Sequence, residues 1–278
     1  MIDVGMIGLG EIGTALAQDL ALKGFPVAGY DLDSSKNPAG VRLETSPAGI
    51  AKRANVILIA VTGSDAVNDI VDRLLPDLDR RHQVIDVGTT LPSVDIRCAR
   101  ICAERGASFV DAPITLRIGR TFLVGGVLTA NGREVLDAAG QVIEVGAPGS
   151  GQLLKLANQL LVFGQVALQC EAVELARRVG LEPRLLSDEL QWRIPERVFG
   201  KDFSGPDQVS LCRKDLQYVL ELAEASEAKV PIARFLKEVL DSVGPGTLEA
   251  IVNYWRDEAG GWATRGPWDS ADAEHGLP

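Results

Sequence analysis

The chain has 278 residues, of which 46% are hydrophobic, 24% charged and only 5% aromatic, the composition of a soluble globular protein. That length holds one large domain or two of ordinary size. A formal net charge of -10 argues against a nucleic-acid role, because phosphate contacts need clustered Lys and Arg.

Cysteine usage and the N-terminus narrow the class further. Cys98 and Cys102 sit four apart in RCARICAERG, with no histidine or second cysteine pair nearby; Cys170 and Cys212 stand alone. A zinc site is not expected from that pattern, and the four thiols read as spare. The N-terminus opens at once on a strand-like run, without a basic stretch leading into a long apolar one. No run of about eighteen consecutive apolar residues occurs, so no membrane span is expected. Reduced thiols and no leader point to the cytoplasm.

In chain order the first half alternates β-branched runs with helical patterns. IDVGMIG (2–8) reads as a strand, EIGTALAQDLALKG (11–24) as a helix and PVAGYDL (26–32) as a second strand. A short helix over SPAGIAKRA (46–54) leads to the strand NVILIAV (55–61), then the helix DAVNDIVDRLLPDL (65–78) and the strand HQVIDVG (82–88). SVDIRCARICAERG (93–106) is helical again and ASFVDAP (107–113) extended. Strands separated by helices of this length indicate βαβ units and a parallel sheet. ILIAV and QVIDV lack alternation, as strands covered on both faces should. After about residue 145 the rhythm stops, and helices are expected over 150–180, 183–193, 207–228, 231–242 and 247–258. The tail 261–278 has no periodicity and is expected to be loose. The fold class is therefore α/β followed by all-α, with domains at 1–149 and 150–260.

Between the first strand and first helix stands Gly8-Leu9-Gly10-Glu11-Ile12-Gly13. Such a glycine triplet alone is a weak signal, but here it sits in a strand-turn-helix context. Gly8 permits a tight turn, Gly10 lets a pyrophosphate approach the backbone, and Gly13 allows close helix–sheet packing. Amides at the helix start then face the phosphates. Asp31 ends the second strand, where a carboxylate can take both ribose hydroxyls and would repel a 2′-phosphate. NAD is favoured over NADP.

The order of motifs resembles the β-hydroxyacid dehydrogenases, the family of 3-hydroxyisobutyrate dehydrogenase and tartronate semialdehyde reductase. The resemblance runs from residue 1 to about 240, through MIGLGEIGTALAQDLALKGFPVAGYDLD, IDVGTTLP (85–92), FVDAP (109–113), GSGQLLKLANQ (149–159) and RKDL (213–216). It implies a Rossmann domain followed by a helical domain whose first helix is long, with the active site in a cleft between them. It also implies that Thr89 approaches the nicotinamide ribose, that Val61 and Thr62 line the cofactor path, and that Lys214 reaches the cofactor.

The helix beginning near residue 150 carries Lys155, Asn158 and Gln159 among leucines and valines. At about 100° per residue these share one face, which continues below as Val162 and Val166. The polar patch thus reads as local to the first turns. Oxidising an alcohol by hydride transfer requires removing its hydroxyl proton. A lysine desolvated in a cleft favours the neutral amine that can take it. The resemblance makes Lys155 the general acid/base and Asn158 the group that orients substrate, with Gln159 beside it. Gly149 and Gly151 leave amides at this helix start suited to a carboxylate.

After FVDAP the family has Ser-Gly-Gly, which holds the substrate carboxylate; here Thr115, Leu116 and Arg117 follow Ile114. Thr115 keeps a hydroxyl, and Arg117 offers a guanidinium that can grip an anion bidentately. An inward-facing Arg117 would imply a substrate with a stronger or second anionic group, a sulfonate, phosphate or dicarboxylate; a solvent-facing one leaves the substrate open. The leading expectation is an NAD-dependent dehydrogenase of a short anionic hydroxyacid or its semialdehyde. The competing ones are an imine reductase-like enzyme, against which Asp31 and Lys155 argue, and a non-catalytic dinucleotide-binding module. The long helix is apolar around most of its circumference, so a homodimer or homotetramer through the helical domain is expected, with no nucleic acid or membrane partner.

Overall fold

The computed structural model describes residues 2–116, 119–200 and 202–255. Arg117, residues 256–258 of the last expected helix and the tail 261–278 lie outside them. The described chain divides into two compact units, residues 1–157 and 158–278.

The first unit is built on β1 (Val4–Ile7), β2 (Val27–Tyr30), β3 (Val41–Leu43), β4 (Val56–Ile59), β5 (Gln83–Asp86) and β6 (Ser108–Asp111). They pair in parallel in the order β3-β2-β1-β4-β5-β6. The ladder aligns Ile7 with both Tyr30 and Ile59, Ile59 with Asp86, and Asp86 with Asp111. That row is the C-terminal edge of the sheet, where open α/β sheets place ligands.

Helices cover both faces, which is why the strands show no polar alternation. Val4, Met6, Val56 and Leu58 face α1 (Glu11–Leu22) and α5 (Ala130–Ala139) through Leu16, Leu20, Val135 and Leu136. Ile7, Ile57 and Ile59 face α2 (Pro47–Arg53), α3 (Ser64–Leu74) and α4 (Pro92–Ala103) through Ile50, Val67, Val71 and Cys98. Each such side chain, wholly withdrawn from water, contributes about 1.5–3 kcal/mol. α2 starts where Ser46 Oγ accepts from Gly49 N at 3.2 Å, ahead of Pro47, the expected chemistry of a helix start.

The sheet is not wholly parallel. β7 (Ile114–Thr115) and β8 (Thr121–Gly125) run antiparallel to each other, β8 is antiparallel to β6, and β9 (Gln141–Gly146) runs parallel to β8. Sequence pattern assigns none of these three strands. β8 is buried along all five residues and so carries no period of two.

α6 (Ser150–Arg178) is the long helix, and the division between units falls inside it, so its first turns with Gln152 and Lys155 belong to the first unit. By length and composition alone α6 could cross a membrane. Its buried stripe nevertheless holds Gln152, Lys155, Gln169 and Glu174. Polar side chains therefore recur down this face and are not confined to the first turns, contrary to the sequence expectation. Gln169 Nε2 donates to Arg193 O at 2.7 Å, and Glu174 Oε1 pairs with Arg177, so each of the deeper ones has a partner in place.

In the second unit α9 (Gln208–Ala225) and α10 (Pro231–Ser242) present amphipathic faces. α10 buries Ala233, Leu236, Val239 and Leu240, the spacing of one helical stripe. Arg213 of α9 donates to the C-terminal carbonyls of Leu240 (2.7 Å) and Val243, closing the end of α10. The helix expected over 183–193 shrinks to α7 (Leu185–Asp188), followed by the short α8 (Glu196–Phe199). Gln191 adopts a left-handed conformation (φ 59°), and Ile194 precedes Pro195, both of which break a helix. The last expected helix is a 3₁₀ stretch, Leu248–Tyr254.

Candidate cofactor and catalytic site

The glycine loop follows β1 directly. Gly8 has φ +92°, and a Cβ there would press on the Ala60 carbonyl. Gly13 lies against the Gly8 carbonyl oxygen so closely that a Cβ would collide with it. Gly10 has open space where its Cβ would be, and no side chain caps the start of α1. Two glycines thus serve packing and one serves access. Leu9 is buried beneath the turn, whereas Glu11 and Ile12 face outward. An open glycine beside uncapped helix amides fits a dinucleotide pyrophosphate.

Asp31 follows β2 on the same edge. Its Oδ2 accepts from Leu9 N at 2.5 Å and its Oδ1 from Asp33 N at 2.8 Å. Two main-chain amides therefore hold the carboxylate against the glycine turn, with lone pairs left for ribose hydroxyls. Val61, half-buried, and Thr62, exposed, follow β4. Thr89, half-buried, follows β5, and Thr115 lies in β7 with Leu116 exposed after it. The strand register thus brings the expected cofactor residues of the first unit to one edge.

Beneath Thr89 lies a buried polar network that sequence reasoning did not single out: Asp86, Thr90, Asp95, Asp111 and Gln152. Asp111 Oδ1 accepts from Gly149 N at 2.7 Å and its Oδ2 from Gln152 N at 2.9 Å. The amides at the start of α6 therefore take a carboxylate of the protein itself. Gly151 permits this closeness, because a Cβ there would strike the Leu123 carbonyl oxygen. Burial raises the pKa of Asp111 and pushes Asp86 up to about 6; for Asp86 the Gly88 amide opposes the shift. Asp95 is raised well above the ordinary carboxylate range by burial and by the neighbouring Asp86 charge. Segments IDVGTTLP and FVDAP carry two of these acids. Nothing in their local pattern shows that the acids point inward.

Lys155 sits one turn after Gln152 and is 8% exposed, too deep for an ammonium that merely reaches to water. Asn158 follows on the next turn, where the second unit begins, and its Nδ2 is a buried donor with no partner among the described residues. Gln159 is committed to its own unit: its Nε2 donates to Asp215 Oδ2 at 2.6 Å. Asp215 Oδ1 lies 3.0 Å from Lys214 Nζ, and that ammonium stands 4.9 Å from the Tyr218 ring centroid. Gln159 thus helps to place Lys214 through Asp215. No spacing rule links residues so far apart in sequence.

Residues 3–146 match the family model described as the NAD binding domain of 6-phosphogluconate dehydrogenase. Residues 149–250 match the family model described as NAD-binding of NADP-dependent 3-hydroxyisobutyrate dehydrogenase. Over 202 residues the chain is 35% identical to the mitochondrial 3-hydroxyisobutyrate dehydrogenase of Rattus norvegicus, an alignment covering 66% of this chain and 60% of that protein. The chain thus matches about 60% of the length of that relative. The 2-(hydroxymethyl)glutarate dehydrogenase of Eubacterium barkeri is 23% identical over 93% of this chain and 96% of its own. The structure of 3-hydroxyisobutyrate dehydrogenase from Mycobacterium tuberculosis with L-serine matches with a TM-score of 0.81 at 21% identity, covering 92% of this chain and all of that one, a likeness of fold. With a parallel sheet edged by a glycine loop, a long helix bearing Lys155, and both halves matched in order, this chain belongs to the β-hydroxyacid dehydrogenase family.

Proposed function

We propose that this protein is an NAD-dependent oxidoreductase acting on a short anionic hydroxyacid or its semialdehyde, with Lys155 as general acid/base. The observation that carries the proposal is the pairing on α6 of a buried lysine with the orphaned amide of Asn158 one turn on. The Gly8–Gly13 turn and the N-terminus of α1 would hold the pyrophosphate, and Asp31 the adenosine ribose. A nicotinamide bound there would supply the acceptor or donor for the hydride. Lys155 Nζ takes the hydroxyl proton during oxidation and returns it during reduction. Asn158 Nδ2 donates to the substrate oxygen, which fixes the carbinol carbon. Thr115 Oγ1 and Arg117 take the substrate anion. A dicarboxylate is named for the relative from Eubacterium barkeri, and such a substrate suits an added guanidinium here.

Asp31 supports NAD, because a carboxylate fastened by two amides cannot turn away from a 2′-phosphate. Four buried free thiols fit a reducing compartment such as the cytoplasm. Leu154, Leu161, Leu168 and Leu175 recur every seventh residue of α6 and are 42–70% exposed, a seam suited to a second copy of this chain. Light scattering should find a dimer or tetramer that Leu161→Lys with Leu168→Lys dissociates; an unchanged mass would remove the seam from the interface.

The decisive assay is NADH production across hydroxyacids and their sulfonated, phosphorylated and dicarboxylate analogues. At least one should turn over, with kcat/KM higher for NAD than for NADP. Lys155→Ala should lower kcat by about a thousandfold, the scale of general acid–base catalysis, while NADH affinity stays nearly constant. Normal turnover by that variant would sink the assignment.

A further inference from the structure

Gln152 is fully buried three residues before Lys155. Its Oε1 accepts from Thr90 N at 3.2 Å, and its Nε2 donates to Gly88 O at 3.1 Å and lies 3.5 Å from Asp86 Oδ2. One side-chain amide therefore grips the main chain on both sides of Thr89. It does so from the helix that carries Lys155.

The grip rests on a proton count. Asp86 Oδ1 accepts from Gly88 N at 2.9 Å. Thr90 Oγ1 lies 3.1 Å from Asp86 Oδ2 and 2.6 Å from Asp95 Oδ2. A hydroxyl has one hydrogen and cannot donate to two carboxylates, so one acid must supply the other hydrogen. Asp95 Oδ1 is buried without a hydrogen-bond partner among the described residues. That is severe for an ionised carboxylate and mild for the carbonyl oxygen of a neutral acid. Asp86, by contrast, already receives donors at both oxygens. Every donor finds an acceptor if Asp95 donates from Oδ2 to Thr90, and Thr90 donates to Asp86 Oδ2.

We propose that Gln152 is a positioning residue that locks the Thr89 loop to the Lys155 turn of α6, and that a native-state proton on Asp95, relayed through Thr90 to Asp86, holds Gln152 in place. The positioning half rests on the function proposed above; the proton does not. The titratable groups facing Asp95 are Asp86 from β5, Asp111 from β6 and Cys98 from its own helix, whose thiol burial pushes up to about 12 and so keeps neutral. Across from them α6 contributes the uncharged Gln152, with Lys155 one turn on.

An acid whose folded pKa is raised leaves the native state progressively less stable as pH climbs from the unfolded value, about 4, up to the folded one. Asp95→Asn supplies a donor that cannot ionise, with Nδ2 facing Thr90. In thermal melts of the full-length protein from pH 5 to 8, the gap in favour of Asp95→Asn over wild type should widen by about 3 °C per pH unit. A gap independent of pH would overturn the proton assignment, whether or not any hydroxyacid is turned over. Gln152→Leu should both weaken NADH binding about fivefold and lower kcat at least about tenfold, whereas Lys155→Ala moves kcat alone. A Gln152→Leu protein with wild-type NADH affinity would overturn the positioning role, and that titration needs no substrate. If Gln152→Leu loosens NADH while no hydroxyacid reacts, the loop is held as proposed and the assigned reaction is what fails.

Discussion

The two units hold their candidate groups in different ways. In the first, two carboxylates are held by main chain: Asp31 is gripped by the amides of Leu9 and Asp33, and Asp111 by those of Gly149 and Gln152. These amides are placed by the strand ends, by the start of α6 and by glycines such as Gly8 and Gly151, whose added Cβ would strike a main-chain carbonyl. In the second unit, Gln159, Asp215 and Lys214 hold one another through side chains carried on two helices. A site built on backbone tolerates little change in the residues that shape it. A site built on side chains can lose a member and keep its fold.

That contrast predicts a graded series. Gly13→Ala should be the most damaging, because its Cβ collides with a main-chain carbonyl that cannot swing aside. A loss of about 3 kcal/mol or more is expected, at the upper end for overpacking, measurable by urea denaturation, together with loss of NADH binding. Gly10→Ala is the control on the same loop. Its Cβ meets nothing, so stability should change by less than about 1 kcal/mol while NADH affinity falls severalfold. Equal stability losses in the two variants would refute the division into packing and access glycines. Gln159→Leu should have the smallest effect, about 1 kcal/mol or less in stability for one hydrogen bond. Its signature should be a severalfold fall in kcat/KM as Asp215 releases Lys214, and a protein kinetically identical to wild type would show that Lys214 needs no such support.

Much of the first unit was legible along the chain. β1, α1, β2, β4, β5, α4 and β6 lie where apolar runs and helical periods place them, and the glycine triplet and Asp31 announce themselves by spacing. β8 did not, because a strand buried along its whole length has no alternation to detect; β7 is too short to show a period, and β9 lies largely exposed without an apolar face. α7 fell short of its expected span because the pattern there is helical while Gln191 and the residue before Pro195 are not. Arg117, on which the substrate expectation leaned most, lies outside the described residues.

Within the candidate site the same divide recurs. Lys155 and Asn158 stand out in sequence, since polar groups in an apolar helix are conspicuous. Gln152 does not, because a glutamine near a helix start is unremarkable until its amide is seen spanning Gly88 and Thr90. Asp95 does not either: acidic residues in the first turn of a helix usually face water and favour the helix dipole. Here that side chain is buried and meets Asp86 of β5 through the Thr90 hydroxyl.

By itself, the sequence determined the alternation of β1, α1, β2, β4, β5, α4 and β6, the glycine turn with its acid twenty-odd residues on, and the lysine that stands out in an apolar helix. These depend on local backbone preference and on hydrophobic period, both written in neighbouring residues. Only the tertiary structure decided which carboxylates are buried together, which amides they occupy and where a proton must reside. Those follow from desolvation and from the matching of donors to acceptors across strands, and neither exists until the chain has folded.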